Sequence, residues 1–273
     1  MSRNIVIPTG KRLTLPVPGA LWTPAAITTA AWFDATDAGT ITESGGAVSQ
    51  WNDKSGNGNN LAQSTPAQQP ETGLNTIGGL NVINFNRDND DIMEAPNAAS
   101  LNFDGDGGLS MFAVLNHEAY EDQGSGVNVI CTKGDPLSAT SAYFMRVNAG
   151  DNIRLHGGDN REAAAGAATN GQDLIASFVN EVATVHEGWI DGTSLGTAGD
   201  ANGLSDNTEP FSVGGDYNQS QRYMDLNLGE LIVIAGPGST AARQQLEGYL
   251  AWKWSLQLNL PWNHPYRYYA PRA

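Results

Sequence analysis

The residues best suited to chemistry sit in one loop. Asp53-Lys54-Ser55-Gly56-Asn57-Gly58 sets side-chain oxygens at alternate positions, on Asp53, Ser55 and Asn57, ahead of a turn glycine. Calcium takes about six to eight oxygen ligands, and the first half of a calcium loop is spaced in this way. The acid that would close such a loop is absent, because Ser64 stands in its place. Asp88-Asn89-Asp90-Asp91 and Asp104-Gly105-Asp106 are further oxygen-rich runs. Neighbouring acids repel one another unless water or a cation screens them. These loops therefore read either as Ca2+ ligands or as solvated turns, and nothing else in the chain requires a cofactor.

Catalytic patterns fail on named residues. Glycoside hydrolysis needs paired carboxylates, and strand alternation is the simplest way to point two into one cleft. The sequence has no Glu-x-Asp, and Glu118, Glu121 and Asp122 cluster in a Gly-flanked loop that suits solvated carboxylates. Gly192-Thr193-Ser194-Leu195-Gly196 matches the serine-hydrolase elbow, which needs a strand before it and a helix after it. Here the flanks read as a hairpin. His117, His156, His186 and His264 show no zinc spacing, and Cys131 is alone, so it forms no intrachain disulfide and reads as a small core residue. The expectation is a protein that is not an enzyme. The late aromatics Trp252, Trp254, Trp262, Tyr266, Tyr268 and Tyr269 could stack on sugars, although core packing accounts for most of them.

The elements behind these residues are β. Short apolar runs bounded by Gly, Asn and Asp recur at 31–34, 48–51, 80–85, 110–115, 127–131, 143–147, 153–156, 174–179, 185–190, 211–214 and 228–234. Asp191-Gly192 is a hairpin turn signal. Many short strands with turns between them predict an all-β jelly-roll sandwich. One segment, Ser239 to Leu256, reads as helix: Ser239 or Thr240 caps it, and Ala242, Leu246, Tyr249, Leu250 and Trp254 form a stripe. The tail from Leu260 to Tyr266 cannot continue that helix and is expected to run extended over the sheet, anchored by its aromatics.

Composition agrees. The 273 residues include 32 Gly and 13 Pro, while charged residues make up only 16%. The net charge of −15 opposes nucleic acid and anionic membranes. Arg3, Lys11 and Arg12 precede the first acid, Asp34, so the acidity lies wholly in the body. Pro8, Pro16 and Pro18 keep the start extended. We read residues 1–21 as an arm, with Arg3, Ile5, Ile7, Lys11, Arg12, Leu13 and Leu15 as anchoring residues, and 22–273 as one sandwich domain. No signal-peptide h-region precedes Lys11, and no apolar run reaches the length of a membrane span.

Several stretches resemble the laminin G-like, concanavalin A-like domains of bacteriophage virion proteins. They are Trp32-Phe33-Asp34-Ala35-Thr36-Asp37, Val48 to Asn59, Gly229-Glu230-Leu231-Ile232-Val233-Ile234, Gln245 to Trp254 and His264-Pro265-Tyr266. The resemblance spans roughly residues 22–266. It implies a non-enzymatic virion structural protein of head, tail or fibre, made in the host cytoplasm. The arm would anchor it to other virion proteins or to copies of itself. The alternative is a carbohydrate-binding module for host surface glycans, with no single residue marking its site.

Overall fold

The computed structural model describes residues 19–103, 107–118, 120–121, 126–135, 142–148, 152–157, 162–167, 170–181, 185–198, 204, 206–217 and 222–273. In chain order the strands are β1 (Ala31–Asp34), β2 (Ile41–Ser44), β3 (Ala47–Trp51), β4 (Leu61–Ala62), β5 (Glu71–Ile77), β6 (Leu80–Phe85), β7 (Met93–Ala95), β8 (Leu109–His117) and β9 (Val127–Lys133). They continue as β10 (Tyr143–Asn148), β11 (Asn152–Gly157), β12 (Glu162–Ala167), β13 (Leu174–Glu181), β14 (Val185–Ile190), β15 (Thr193–Ala198), β16 (Phe211–Val213) and β17 (Leu226–Ala235). The helix α1 spans Thr240–Lys253.

All named pairings are antiparallel. One layer runs β17–β8–β13–β14–β15, with β1 and β6 sharing the free side of β17. The other runs β4–β7–β16–β9–β10–β11–β12. β3 and β5 bridge the two. Alternation along each strand sends one set of side chains inward. Leu115, Phe178 and Leu231 from the first layer meet Cys131, Met145 and Phe211 from the second in a single apolar core. The fold is thus an all-β sandwich with one helix, and Cys131 is a core residue whose thiol burial pushes up to about 12.

The helix covers the outer face of the first layer. Ser239 caps it, its hydroxyl accepting from the Ala242 amide at 3.2 Å. Leu246, Tyr249, Leu250 and Trp254 are buried against Trp32, Val82, Phe112, Val114 and Ile232. Ala242 is exposed, contrary to the stripe, and Arg243 is buried beside it. The Arg243 guanidinium lies 4.0 Å from the Trp189 ring and pairs with Glu247. Among the described residues no helix is long and apolar enough to cross a membrane.

The tail departs from expectation. It is a run of tight turns after Lys253, not an extended strand. Buried Leu260 and His264 anchor it, and the His264 ring meets Glu247 at 3.1 Å. Trp252 donates to the Tyr266 carbonyl at 2.7 Å, whereas Trp262, Tyr268 and Tyr269 stay exposed. The chain start joins this end: Leu21 pairs with Arg272, and Trp22 packs edge-on against Tyr249. Leu21, placed in the arm by its sequence context, therefore belongs to the folded body.

At the junction of β1, β17 and α1 lies Glu230, fully buried. Its Oε1 accepts from Trp32 Nε1 at 2.8 Å and Tyr249 OH at 3.0 Å. Its Oε2 accepts from Lys253 Nζ at 2.8 Å and Trp254 Nε1 at 2.9 Å. Lys253 also reaches Asp34 at 2.6 Å, and Lys54 joins Asp34 to Asp37. These residues are the acids, cations and aromatics of the terminal motifs. Trp254 sits flat on β17 because Gly229 has no side chain; a Cβ there would lie 2.7 Å from its ring. Glu230→Ala should cost about 3–5 kcal/mol, because it leaves the buried Trp32, Tyr249 and Trp254 donors without an acceptor and leaves Lys253 with Asp34 alone. Gly229→Ala should cost about 1–3 kcal/mol through overpacking. Urea unfolding of both variants measures this; wild-type stability in either would remove the role assigned to it.

Candidate functional site

The structure brings Asp53, Ser55 and Asn57 together, but as the lock of a turn. Asp53 Oδ1 accepts from the Trp32 and Ser55 amides, at 2.9 and 2.8 Å. Its Oδ2 accepts from the Ser55 hydroxyl at 2.6 Å and the Asn59 amide at 3.1 Å. Asn57 turns its amide nitrogen to the Thr29 and Ala30 carbonyls, both at 3.0 Å. The loop thus uses both Asp53 oxygens to hold itself in shape and against β1. Among the described residues no group of three or more His, Cys, Asp or Glu side chains converges to hold a metal. Asp104 and Asp106, and the expected anchoring residues Arg3, Ile5, Ile7, Lys11, Arg12, Leu13 and Leu15, lie outside the described residues. Ser194, the serine of the elbow motif, lies on β15 of a hairpin and donates to Glu187 at 2.8 Å.

A site does form where the sequence reading saw only polar punctuation. Three strand ends carry triplets of a buried residue between two polar ones: Asn84-Phe85-Asn86, Asn116-His117-Glu118 and Asp225-Leu226-Asn227. The middle residues point inward, and Phe85 and Leu226 belong to the main core. Alternation therefore sends the flanking residues to the outer face, the face that α1 covers further along. Register then aligns them, since Asn227 lies opposite Asn84 on one side and Asn116 on the other. Asp173, one step before β13, continues that row, and Asn116 Nδ2 donates to its Oδ1 at 2.7 Å. The next row holds Asn86, Asp225 and Glu118, with the Glu118 amide bound to the Asp225 carbonyl at 3.2 Å. Neighbouring strands lie about 4.8 Å apart, and residues two apart on one strand about 7 Å apart. The rows thus make a flat grid of amides and carboxylates.

Internal bonds hold the grid in place. Asn227 Oδ1 accepts from Asn75 Nδ2 at 2.9 Å and Asn84 Nδ2 at 3.0 Å. Arg87 clamps Asp225 twice, its amide to Oδ1 at 2.8 Å and its Nη2 to Oδ2 at 3.0 Å. The same Nη2 meets Glu121 at 2.8 Å. Glu118 and Glu121, expected as idle loop carboxylates, are thus recruited, while Asp122 lies outside the described residues. The grid floors an open cleft of about 290 Å³ lined by Asn84, Asn86, Asp88, Glu118, Asp225 and Asn227. Such a floor offers paired donors and acceptors at fixed spacing and one cation already neutralised. It can hydrogen-bond a neutral polyhydroxylated ligand, and it repels anions.

Beneath the cleft Asp91 is buried, with Oδ2 accepting from the Asn86 amide at 2.8 Å and Oδ1 without a partner. Burial, followed by the charges of Glu71, Asp225 and Asp90, raises its carboxyl to about 6. Burial raises Asp191, in the β14–β15 turn, to about 6 as well.

No family model matches the sequence, and no curated protein matches it. Solved structures do share the fold. The chain is similar to the binding domain of Paraclostridial Mosquitocidal Protein 1, at TM-score 0.57 and 12% identity over 81% of this chain and 52% of that one. Trypanosoma rangeli sialidase matches at TM-score 0.57 and 10% identity, over 87% of this chain and 36% of that one. Domain 4 of the GH43 extracellular arabinanase AbnA of Geobacillus stearothermophilus, in complex with arabinotriose, matches at TM-score 0.54 and 11% identity. That match covers 81% of this chain and 98% of the domain. The chain spans about half or less of the length of the first two. At these identities the likeness is one of fold.

The raised carboxyls set a pH dependence. Folded Asp91 and Asp191 keep protons that the unfolded chain gives up between about pH 4 and 6, so their contribution to stability grows as pH falls through that window. Stability at pH 5 should therefore exceed that at pH 7, and Asp91→Asn should shrink the difference. Urea midpoints at the two pH values check this; an unchanged difference in the variant would show that Asp91 titrates normally.

Proposed function

We propose that this chain is a non-enzymatic carbohydrate-recognition module that binds neutral saccharides in the cleft at the end of its outer sheet face. The observation that carries the reading is the in-register grid of Asn84, Asn227, Asn116 and Asp173 beside Asn86, Asp225 and Glu118. Vicinal hydroxyls need a donor and an acceptor side by side, and amides fixed in a ladder supply both without ordering cost at binding. Asp88, Glu118 and Asp225 disfavour carboxylated or phosphorylated sugars. Two fold relatives support the class, one being a binding domain and one being bound to a neutral trisaccharide. Hydrolysis is not part of the proposal: Asp225 engages both its oxygens with Arg87, so it is not free to act as a nucleophile.

An array of neutral, amino and acidic glycans tests the reading, with binding expected among the neutral ones. Asn227→Ala should weaken it about tenfold, the scale of one or two lost hydrogen bonds. Silence across neutral glycans, or full affinity in this variant, would refute the proposal.

The terminal motifs give this module a setting, which we propose is the surface of a phage particle, with the basic start of the chain as its anchor. Many weakly binding copies on one particle would reach useful avidity. Deleting residues 1–18 should leave the unfolding midpoint unchanged and abolish incorporation into particles; particles that retain the shortened protein would exclude the anchor.

A further inference from the structure

We infer that Trp262 extends the cleft into a longer track, so that the module grips the interior of a neutral chain, trisaccharide or longer, and not one terminal sugar. The inference rests on the carbohydrate reading above and names the length class of its ligand.

The upper row has a direction. It crosses four strands from Asn84 through Asn227 and Asn116 to Asp173, about 14 Å at ordinary strand spacing. That exceeds one sugar ring. At its far end the row meets the tail, because Asn259 Nδ2 donates to the Asp173 carbonyl at 3.2 Å. From Asn259 the chain enters the turn that holds Trp262, a residue 81% exposed. A tryptophan so open to water is unusual in a folded protein.

The turn is fixed, so the exposure is not slack. Arg267 Nη1 donates to the Leu258 carbonyl at 2.6 Å and to the Leu260 carbonyl. Leu260 and His264 are buried, and Leu260, Pro261 and His264 lie against Gly192 in the β14–β15 turn. The guanidinium of Arg267 also lies 5.6 Å from the exposed Tyr268 ring. A fixed loop that holds an indole in water three residues beyond Asn259, where the tail bonds the end of the row, provides what the row lacks: an apolar face for the C–H side of a sugar ring. Continuity through Asp173 and Asn259 ties the aromatic to the polar grid.

Chain length is the readout. Calorimetry and tryptophan fluorescence would follow di- and pentasaccharides of the arabino-, xylo- and cello-series against wild type, Trp262→Ala, Trp262→Phe and Asn227→Ala. In the series that binds, wild type should favour the pentasaccharide about tenfold or more over the disaccharide. Trp262→Ala should erase that preference and leave the disaccharide unchanged, Trp262→Phe should restore much of it, and Asn227→Ala should weaken both lengths. No length preference in wild type, or a preference that survives Trp262→Ala, overturns the track while the cleft stands. Full binding by Asn227→Ala, or no binding of any series by wild type, overturns the cleft reading and the track with it.

Discussion

Everything in this molecule is arranged around one carboxylate that water never reaches. A bare Glu230 in an apolar interior would be prohibitively unstable, since burying an isolated ion costs far more than a domain's net stability. It is tolerated because four donors from two elements converge on it, one of them the Lys253 ammonium. Burial raises its carboxyl, and Lys253 opposes that rise. The charge is then passed outward through Asp34 and Lys54 to Asp37 near the surface. Trp32 and Asp34 come from β1, Glu230 from β17, and Tyr249, Lys253 and Trp254 from the end of α1. None of these elements can shift without unpairing a buried charge, so the network fixes where the helix lies as well as that it lies on the sheet.

The same constraint explains the motifs at the two ends of the chain. Gly229 is small so that Trp254 can rest on β17, and Gly248 is small so that Tyr266 can rest on α1. Glu247, buried between Arg243 and His264, repeats on a lesser scale what Glu230 does: it ties the turns after the helix back to the helix itself. Asp53 completes the set by fastening its loop to the Trp32 amide. Residues that invite a reading as ligands or catalysts are, at this end of the molecule, the fasteners of the lid. The candidate cleft lies at the other end of the same face, beyond the helix.

This division decides what could be read from the sequence. Strands with continuous apolar runs, such as β8, were legible because burial on both faces leaves no other pattern. The Asp191-Gly192 turn and the Ser239 cap were legible because their side chains and backbone act locally. β5 was not, being mostly exposed, nor was β12, whose Glu162-Ala163-Ala164-Ala165-Gly166-Ala167 has no strand propensity and is extended by its pairing with β11. The tail was misread because aromatics suggest burial, whereas Leu260 and His264 do the anchoring. The grid was the deepest omission. Each triplet is present in the chain, yet each alone is ordinary strand-end polarity. Only the register of β6, β17 and β8 makes three ordinary ends into one surface.

That register turns on a single irregularity. The β17–β8 ladder shifts between Leu228 and Glu230, so one residue of β17 has no opposite number. A bulge of this kind changes which face the following residues address. Before it, Asp225 and Asn227 face outward while Leu226 and Leu228 fill the core. After it the parity flips: Leu231 and Val233 fill the core, and Glu230 and Ile232 face out toward the helix. Without the extra residue, an outward Asn227 would force Glu230 into the main core, where no donors wait, and would turn Leu231 toward the helix. Gly229 at this point therefore does two things. It makes room for Trp254, and it lets one strand present the outward Asn227 amide and the buried Glu230 carboxylate on the same side of the sheet, so that the network which stabilises the fold also holds the floor of the cleft in register.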